Sequence, residues 1–254
     1  METLASIKRV PDTGAKIVLT DDKQEVDASS IGYTISPHEE CAVEAAVQLV
    51  EEYGGSSTVL TLGEEDATEQ LRTGVAMGVD EAMLLEAGDD EWGPISTARS
   101  IADAVTDEDG EPEYDVMFFG NESADAQNYQ VGIRVANQLD VPVVTGIKSV
   151  DVEGDTVVAK REVPGGHDVF EVPMPAIVTV KEGVNTPRYP SMRSRMQARQ
   201  ANIERGSPDA ADANDVRKVE LEVPERDDSP AEVLGESPEA AADVVEVLED
   251  LEVV

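Results

Sequence analysis

The segment best equipped for ligand chemistry is the loop at residues 120–130, which follows the most apolar run of the chain and leads into a helix. It contains small residues, side-chain amides and hydroxyls, and its backbone N–H groups lie at a predicted helix start. Backbone N–H groups in that position bind phosphate, because they and the helix dipole present positive charge. The loop is therefore either a phosphate cradle or an ordinary polar connection, and its composition is compatible with both.

Other chemistry is sparsely supplied. The chain has two histidines and one cysteine, which excludes an internal disulfide and gives metal or Ser-His catalysis few components. We expect His38 at a helix N-terminus, where the dipole disfavours its cation, and favour a ligand-facing or surface imidazole over a catalytic one. Cys41 fits a core position. The glycine-rich fingerprints of dinucleotide and P-loop sites are absent. We predict no catalytic residue and no metal ligand.

A second unusual segment is basic. Residues 188–205 hold five of the 19 basic residues and one of the 55 acidic residues. Met192 and Tyr189 lie among arginines there, a composition typical of protein interfaces. The alternative is a basic helix face that pairs with the acidic tail of the same chain.

Strand and helix patterns alternate through most of the chain, which predicts right-handed βαβ units and an α/β fold. The expected fold is a mainly parallel, Rossmann-like sheet with helices on both faces and a C-terminal arm. In such sheets ligands bind beyond the carboxyl ends of the strands. Predicted strands cover residues 3–10, 57–62, 81–86 and 114–119, predicted helices cover residues 36–53, 66–77 and 94–105, and residues 125–139 contain another helix.

Local signals place several boundaries. Ser36, Pro37 and Glu39 form a capping-box pattern at the start of the first helix. Residues 16–27 read as a small hairpin. The strands expected at 143–152, 156–163, 169–172 and 176–180 include antiparallel additions to the sheet. We divide the chain into an α/β domain (1–183), a basic loop and helix (184–205) and an acidic arm (206–254), with a helix over 240–251.

The charge of the chain is extreme. Its 254 residues carry 55 acidic and 19 basic side chains, a formal net charge of −36. This charge argues against nucleic-acid phosphates and anionic membrane surfaces as partners. No apolar run approaches the roughly 18 residues that span a bilayer, so we expect a cytoplasmic protein without direct membrane insertion. Because acidic residues occur in every part of the chain, we favour adaptation to a high-salt (halophilic) cytoplasm over an acidic interaction surface.

The chain resembles the beta subunit of electron transfer flavoproteins, the family that includes FixA. The resemblance runs from about residue 4 to residue 200. Its motifs are Lys8-Arg9-Val10-Pro11-Asp12, Ser36-Pro37-His38-Glu39-Glu40-Cys41-Ala42-Val43-Glu44-Ala45-Ala46, Arg72-Thr73-Gly74-Val75-Ala76-Met77-Gly78-Val79-Asp80, residues 120–132 and Val184-Asn185-Thr186-Pro187-Arg188-Tyr189-Pro190-Ser191-Met192.

The resemblance implies that residues 1–183 form a nucleotide-binding fold similar to that of adenine nucleotide alpha hydrolases and that residues 184–205 are a recognition loop and helix. It also implies a heterodimer with an alpha subunit that holds most contacts to a shared, redox-active FAD. It also implies an AMP buried in this chain, or a second FAD that is reduced by NADH in FixA-type bifurcating relatives. Electrons would come from acyl-CoA or other dehydrogenases and pass to a quinone oxidoreductase. The implied nucleotide-pocket residues are Ser6, Ser36, Pro37, His38, Glu39, Leu62, Gly120, Asn121, Glu122, Ser123, Asp125, Gln127, Asn128, Tyr129, Gln130 and Val131.

The resemblance also implies residues near the flavin and residues that dock a partner. Thr13 and His38 would approach the flavin. Met192 would be the apolar anchor of a loop that docks dehydrogenases, and the implied docking residues are Arg188, Tyr189, Met192, Arg193 and Arg195.

The chain departs from the family pattern at four positions of the pocket. Ser36 replaces the usual Asn, His38 an aromatic residue and Tyr129 a small one, and Ala126 matches neither the AMP-binding nor the bifurcating members. We favour AMP over FAD, because the Tyr129 side chain takes up room. A stand-alone adenine-nucleotide enzyme or sensor is the alternative from another class.

We predict that the melting temperature of the protein rises when KCl is raised from dilute buffer to molar concentration. Molar salt shortens the Debye length from about 10 Å to about 3 Å and screens the repulsion among the carboxylates. Thermal denaturation followed by circular dichroism at several KCl concentrations measures the effect. A melting temperature indifferent to salt would contradict the halophilic interpretation.

Overall fold

A seven-stranded parallel sheet lies at the centre of the computed structural model, which describes residues 1–12, 14, 16–29, 31–88, 92–209, 218–224 and 233–253. The strands are β1 (Glu2–Ser6), β2 (Arg9–Pro11), β3 (Tyr33–Ile35), β4 (Ser56–Gly63), β5 (Glu81–Glu86), β6 (Val116–Gly120), β7 (Val143–Ile147), β8 (Ser149–Glu153), β9 (Thr156–Val163), β10 (Gly166–Pro173), β11 (Ala176–Val180) and β12 (Glu204–Gly206). The α-helices are α1 (Pro37–Tyr53), α2 (Thr68–Met77), α3 (Pro94–Ala104), α4 (Val131–Leu139), α5 (Met192–Ala198) and α6 (Ala241–Asp250).

The strand order of the central sheet creates one switch point. The order is β12-β5-β4-β1-β6-β11-β7, and all neighbouring strands are parallel. From β1 the chain moves outward through β4 and β5 and then crosses to β6 on the other side of β1. Ser6 at the end of β1 is level with Leu60 of β4 and Phe119 of β6. The predicted α/β class with a mainly parallel, Rossmann-like sheet is therefore confirmed.

Strand alternation explains why both faces of the sheet are covered. Leu4, Leu60 and Met117 pack with residues of α3 and α4 on one face. Ala5 and Phe118, their neighbours along the strands, pack with α1 and α2 on the other face. All five side chains are fully buried. Parallel strands buried on both faces read as continuous apolar runs, which is the pattern that the sequence shows.

Helix α1 begins and ends where its sequence signals predict. Pro37 occupies the first turn, and Gly54 ends the helix with a φ of +76°. The predicted cap by the Ser36 side chain is wrong, because that side chain makes no capping hydrogen bond. Glu39, its expected reciprocal partner, instead accepts the backbone N–H of Lys8 at 3.0 Å. The first turn of α1 is thus tied to the end of β1.

The antiparallel strands do not extend the central sheet. β8, β9 and β10 form a separate three-stranded sheet, and β11 returns to the parallel sheet between β6 and β7. The strand expected over 143–152 is interrupted at Lys148 and contributes to both sheets. Gly154 (φ +62°) and Gly165 (φ +88°) form the two hairpin turns. The hairpin expected at 16–27 is present, with an antiparallel bridge between Leu19 and Val26.

The chain divides into two compact units, residues 1–221 and 222–254. The second unit contains α6, which confirms the helix predicted over 240–251. Within the described residues, no helix combines the length and the apolar character that crossing a membrane requires.

Candidate functional site

A cavity of about 470 Å³ opens at the carboxyl ends of β1, β4 and β6, beside the switch point of the sheet. Ligands of parallel α/β sheets bind at this place. The volume lies in the lower half of the range of about 300–1,000 Å³ for small-molecule pockets. Its lining residues are Ser6, Ile7, Lys8, Glu39, Leu62, Trp92, Gly93, Pro94, Thr97, Ile101, Phe119, Gly120, Asn121, Glu122, Ser123, Ala126, Asn128, Tyr129, Gln130, Val131, Gly132, Thr179 and Lys218.

Part of the cavity wall depends on a close contact between Glu39 and Gly120. A Cβ atom at Gly120 would lie 2.7 Å from Cγ of Glu39, so a larger residue at position 120 would displace the carboxylate. The Glu39 side chain is buried and accepts the N–H of Lys8. Burial raises the pKa of Glu39 to about 7, although the contacts with Lys8 and Ser36 oppose the shift. Glu39 is therefore a carboxyl group that titrates near neutral pH in the cavity wall.

An ion pair joins the end of β1 to the 120–130 loop. Nζ of Lys8 lies 2.5 Å from Oδ2 of Asp125. Burial raises the pKa of Asp125, but the charge and hydrogen bond of Lys8 outweigh it, so the pKa lies below its ordinary value. Because Lys8 lines the cavity and Asp125 does not, the pair holds the lysine at the cavity edge.

The 120–130 loop adopts an unusual backbone. Gln127 and Tyr129 have φ values of +50° and +56°, in the left-handed region. Each costs roughly 1–2 kcal/mol for a residue other than glycine. Such conformations cluster at ligand sites, where the surrounding structure enforces them. Asn121 anchors the start of the loop, since its Oδ1 accepts the hydroxyl of Thr179 on β11 at 3.0 Å.

The loop ends at the N-terminus of α4, which faces the cavity. In the described part of the chain, no side chain caps this nine-residue helix. Gly132 lets the helix start approach the sheet, because a Cβ atom there would lie 3.0 Å from the Phe119 ring. The first N–H groups of an uncapped helix are hydrogen-bond donors for an anion.

One wall of the cavity comes from residues that the sequence analysis did not place in the site. Helix α3 and the two residues before it contribute Trp92, Gly93, Pro94, Thr97 and Ile101. Trp92 is held by a 2.8 Å hydrogen bond from its indole N–H to the carbonyl of Ala87. The sequence pattern could have indicated this wall, because β5 follows β4 in the predicted parallel sheet and its carboxyl end leads to the same edge of the sheet.

Most residues of the predicted pocket come together around the cavity. Ser36, Pro37, His38, Asp125 and Gln127 are outside its lining, and Thr13 lies outside the described residues. Eleven predicted residues line it, namely Ser6, Glu39, Leu62, Gly120, Asn121, Glu122, Ser123, Asn128, Tyr129, Gln130 and Val131. Ala126, which the resemblance places in the pocket, lines it as well, and the lining residues that were missed, besides those of α3 and the two residues before it, are Ile7, Lys8, Phe119, Gly132, Thr179 and Lys218.

His38 joins two loops beside the cavity. Its Nδ1 accepts the backbone N–H of Glu182 at 2.7 Å, and its Nε2 lies 3.2 Å from a carboxylate oxygen of Glu122. Because Nδ1 is an acceptor, the proton of the neutral ring resides on Nε2 and faces Glu122. Both ring nitrogens are thus engaged within the chain.

Among the described residues, no group of three or more His, Cys, Asp and Glu side chains is arranged to hold a metal ion.

Arg188 anchors the basic segment to α1. Its guanidinium hydrogen-bonds to both Glu44 and Glu51, and its backbone N–H donates to Glu44 at 3.0 Å. The Glu44 side chain is 4% exposed, so this carboxylate depends on Arg188 for its charge partner. Asn185 adds a hydrogen bond of 2.9 Å to the carbonyl of Cys41. Arg188, one of the residues predicted to dock a partner, therefore has partners within its own chain.

Beyond this anchor, the segment presents apolar side chains to solvent. Tyr189, Met192 and Met196 are 84%, 76% and 65% exposed. Ser191 caps α5 by accepting the N–H of Ser194 at 3.1 Å. Arg195 lies over the Tyr189 ring, 4.7 Å from its centroid. The result is a firmly attached loop and helix with an exposed apolar tip beside arginines.

The fold and the cavity define a parallel α/β protein of the Rossmann-like class. A family model for the electron transfer flavoprotein domain matches residues 25–211 of the chain. The chain therefore belongs to the electron transfer flavoprotein family, which confirms the resemblance seen in its motifs.

Individual relatives agree with this assignment. A Bacillus subtilis protein named electron transfer flavoprotein subunit beta is 32% identical over 254 residues, covering 98% of this chain and 97% of that protein. A subunit of the same name from Thermoanaerobacterium thermosaccharolyticum is 34% identical, covering 78% of this chain and 75% of its own. The one from Mus musculus is 32% identical and covers 80% of both chains.

We predict that Glu39→Gln changes how stability depends on pH. The wild-type carboxyl has a folded-state pKa of about 7 against an ordinary value of 4.5, so the folded state holds a proton that the unfolded state releases between these values. Its contribution to stability is complete below pH 4.5 and is lost as the pH rises through 7. The wild type should therefore lose about 3 kcal/mol relative to the Gln variant between pH 4.5 and 8.

Chemical denaturation at constant high KCl, at several pH values, measures this difference in the free energy of unfolding. Glu52→Gln, at an exposed position of the same helix, removes the same charge and serves as the control. Equal pH profiles for the wild type and Glu39→Gln would show that burial does not govern this carboxyl.

Proposed function

We propose that the chain is the beta subunit of a heterodimeric electron transfer flavoprotein, which carries electrons from dehydrogenases to a quinone-linked oxidoreductase. The cavity at the switch point holds AMP, and FAD is shared with an alpha subunit. The single observation that carries this proposal is the cavity itself, with its uncapped helix start and cationic edge, in a chain of this family.

The lining of the cavity suits an adenine nucleotide. Trp92, Leu62 and Ile101 provide apolar and aromatic surface for a base. The start of α4 and Lys8 provide donors and positive charge for a phosphoryl group. The exposed ring of Tyr129 also occupies space at the cavity, and this favours a mononucleotide over a dinucleotide.

The chemistry of electron transfer belongs to FAD, which accepts and releases electrons when bound. The contribution of this chain to the flavin site is packing. His38 stands where the family usually has an aromatic residue, and both of its nitrogens already have partners in the chain. It therefore offers the flavin a ring edge, as an aromatic residue would, and its orientation is fixed by Glu182 and Glu122.

The exposed tip at Tyr189 and Met192 docks the dehydrogenase. Interface hot spots are enriched in Tyr, Trp and Arg, and an anchor that is held rigidly before binding loses less entropy on binding. The ion pairs of Arg188 with Glu44 and Glu51 provide the rigidity, since they attach the loop to a long helix. Arg193 and Arg195 orient an acidic partner. Because salt weakens such steering, contact at Met192 contributes most at high KCl.

We predict that the subunit purified with its flavoprotein partner releases one FAD and one AMP per heterodimer on acid denaturation, measured by liquid chromatography. The chain stripped of nucleotide should also show a saturable change in tryptophan fluorescence on addition of AMP, because Trp92 is the single tryptophan of the sequence and lines the cavity. Trp92→Phe should bind AMP without that signal.

Different results would lead to different conclusions. Two FAD per heterodimer would replace the AMP proposal by the bifurcating alternative. A monomer that binds ATP and has no flavin-bearing partner would support an adenine-nucleotide enzyme or sensor. Absence of any adenylate, in solution or in the purified complex, would remove the basis of the nucleotide site.

We predict that Met192→Glu slows reduction by the partner dehydrogenase by about tenfold or more, the effect of losing an interface hot spot. Flavin content should not change, because Met192 is exposed on α5 and lies outside the cavity. Stopped-flow absorbance at high KCl measures the rate. Val169→Glu introduces the same charge at an exposed apolar position of β10 and should leave the rate unchanged. Equal rates for Met192→Glu and the wild type would refute the docking role.

A further inference from the structure

Lys218 reaches the cavity from a segment far along the chain. It lines the cavity together with residues of β1, β4 and the 120–130 loop. We call residues 218–221 the arm segment and residues 16–27 the hairpin. The hairpin holds the arm segment through a hydrogen bond of 2.9 Å from Leu221 N–H to the carbonyl of Lys23. Gln24 donates to the carbonyl of Val219 at 3.1 Å, and Lys23 pairs with Glu220 at 2.6 Å.

The charges around the cavity give Lys218 a particular importance. In the part of the chain that the structure describes, the carboxyl groups of Glu39 and Glu122 line the cavity, and the protein as a whole carries a charge of −36. A phosphoryl group in these surroundings needs cations. Among the described residues, the lysines of the lining are Lys8 and Lys218, and Lys8 shares its charge with Asp125, which lies 2.5 Å from its Nζ. Lys218 also interacts electrostatically with Asp22, an exposed residue of the hairpin.

We propose that Lys218 binds the phosphoryl group of the nucleotide and thereby couples occupancy of the cavity to docking of the arm segment on the hairpin. The proposal rests on the proposed function, because it requires an adenine nucleotide in the cavity. It adds a residue that distinguishes a nucleotide from a nucleoside and a segment that responds to the difference.

Coupling of this kind is reciprocal. If the docked arm segment strengthens binding of the phosphoryl group, the phosphoryl group stabilises the docked arm segment by the same free energy. A nucleoside, which has no phosphoryl group, leaves docking unchanged. The hydrogen bond between Leu221 and Lys23 reports on docking, because its N–H exchanges with solvent when the segment detaches.

The first test compares AMP with adenosine on the full-length chain, stripped of nucleotide and kept at constant KCl, by isothermal titration calorimetry. Lys218→Gln should weaken AMP binding about tenfold, as expected for loss of one charge-assisted hydrogen bond, and leave adenosine binding unchanged. Lys218→Arg should retain most of the preference for AMP. Lys160→Gln removes the same charge at an exposed position of β9 and serves as the control.

The second test uses hydrogen exchange of the peptide that contains Leu221. AMP should slow its exchange in the wild type, adenosine should not, and the AMP effect should vanish in Lys218→Gln. If the wild type binds AMP but Lys218→Gln keeps both the AMP preference and the slowed exchange, the inference is overturned while the proposed function stands. If the wild type binds neither compound, the proposed function falls and the inference falls with it.

Discussion

The site depends on the position of the Glu39 carboxylate between the ends of β1 and β6. Its carboxylate accepts the Lys8 N–H just beyond β1, and its Cγ lies where a side chain at Gly120 would be. The contact joins the first turn of α1 to the two strands that flank the switch point. A buried carboxyl is costly to ionise, so its hydrogen bond and close packing must offset part of that cost. Gly120 is required for the same reason, since any Cβ would expel Glu39 from this position.

Much of the fold could be predicted because local signals and the global fold agree. α1 was bounded by Pro37 and Gly54, and the parallel sheet by apolar runs that alternate with helices. The loop at 120–130 stood out because it follows the strongest strand. What escaped prediction depends on contacts between distant segments. Lys218 lies almost 90 residues beyond the end of the loop whose cavity it lines, and nothing in its sequence neighbourhood marks it as a site residue.

Contacts between distant segments also explain why the role of Arg188 in the basic segment could not be predicted from the sequence. The composition around Tyr189 and Met192 indicates an exposed interface, and both side chains are exposed. Composition does not reveal that Arg188 pairs with Glu44 and Glu51 on α1. A guanidinium presents several donors in a plane and can satisfy two carboxylates at once, which a lysine does less well. In a chain with few cations, an arginine used in this way stabilises the acidic helix α1 and at the same time attaches the loop to it.

α1 therefore connects the two regions to which we assign function. Its first turn supplies Glu39 to the cavity and His38 to the neighbouring loops, whereas its middle and last turns hold the basic segment through Glu44 and Glu51. Seventeen residues of α-helix span about 25 Å. The buried face of α1 packs on the central sheet along most of this length, so the helix cannot tilt without opening the core. The distance between the cavity and the exposed tip at Tyr189 and Met192 is consequently set by one rigid element.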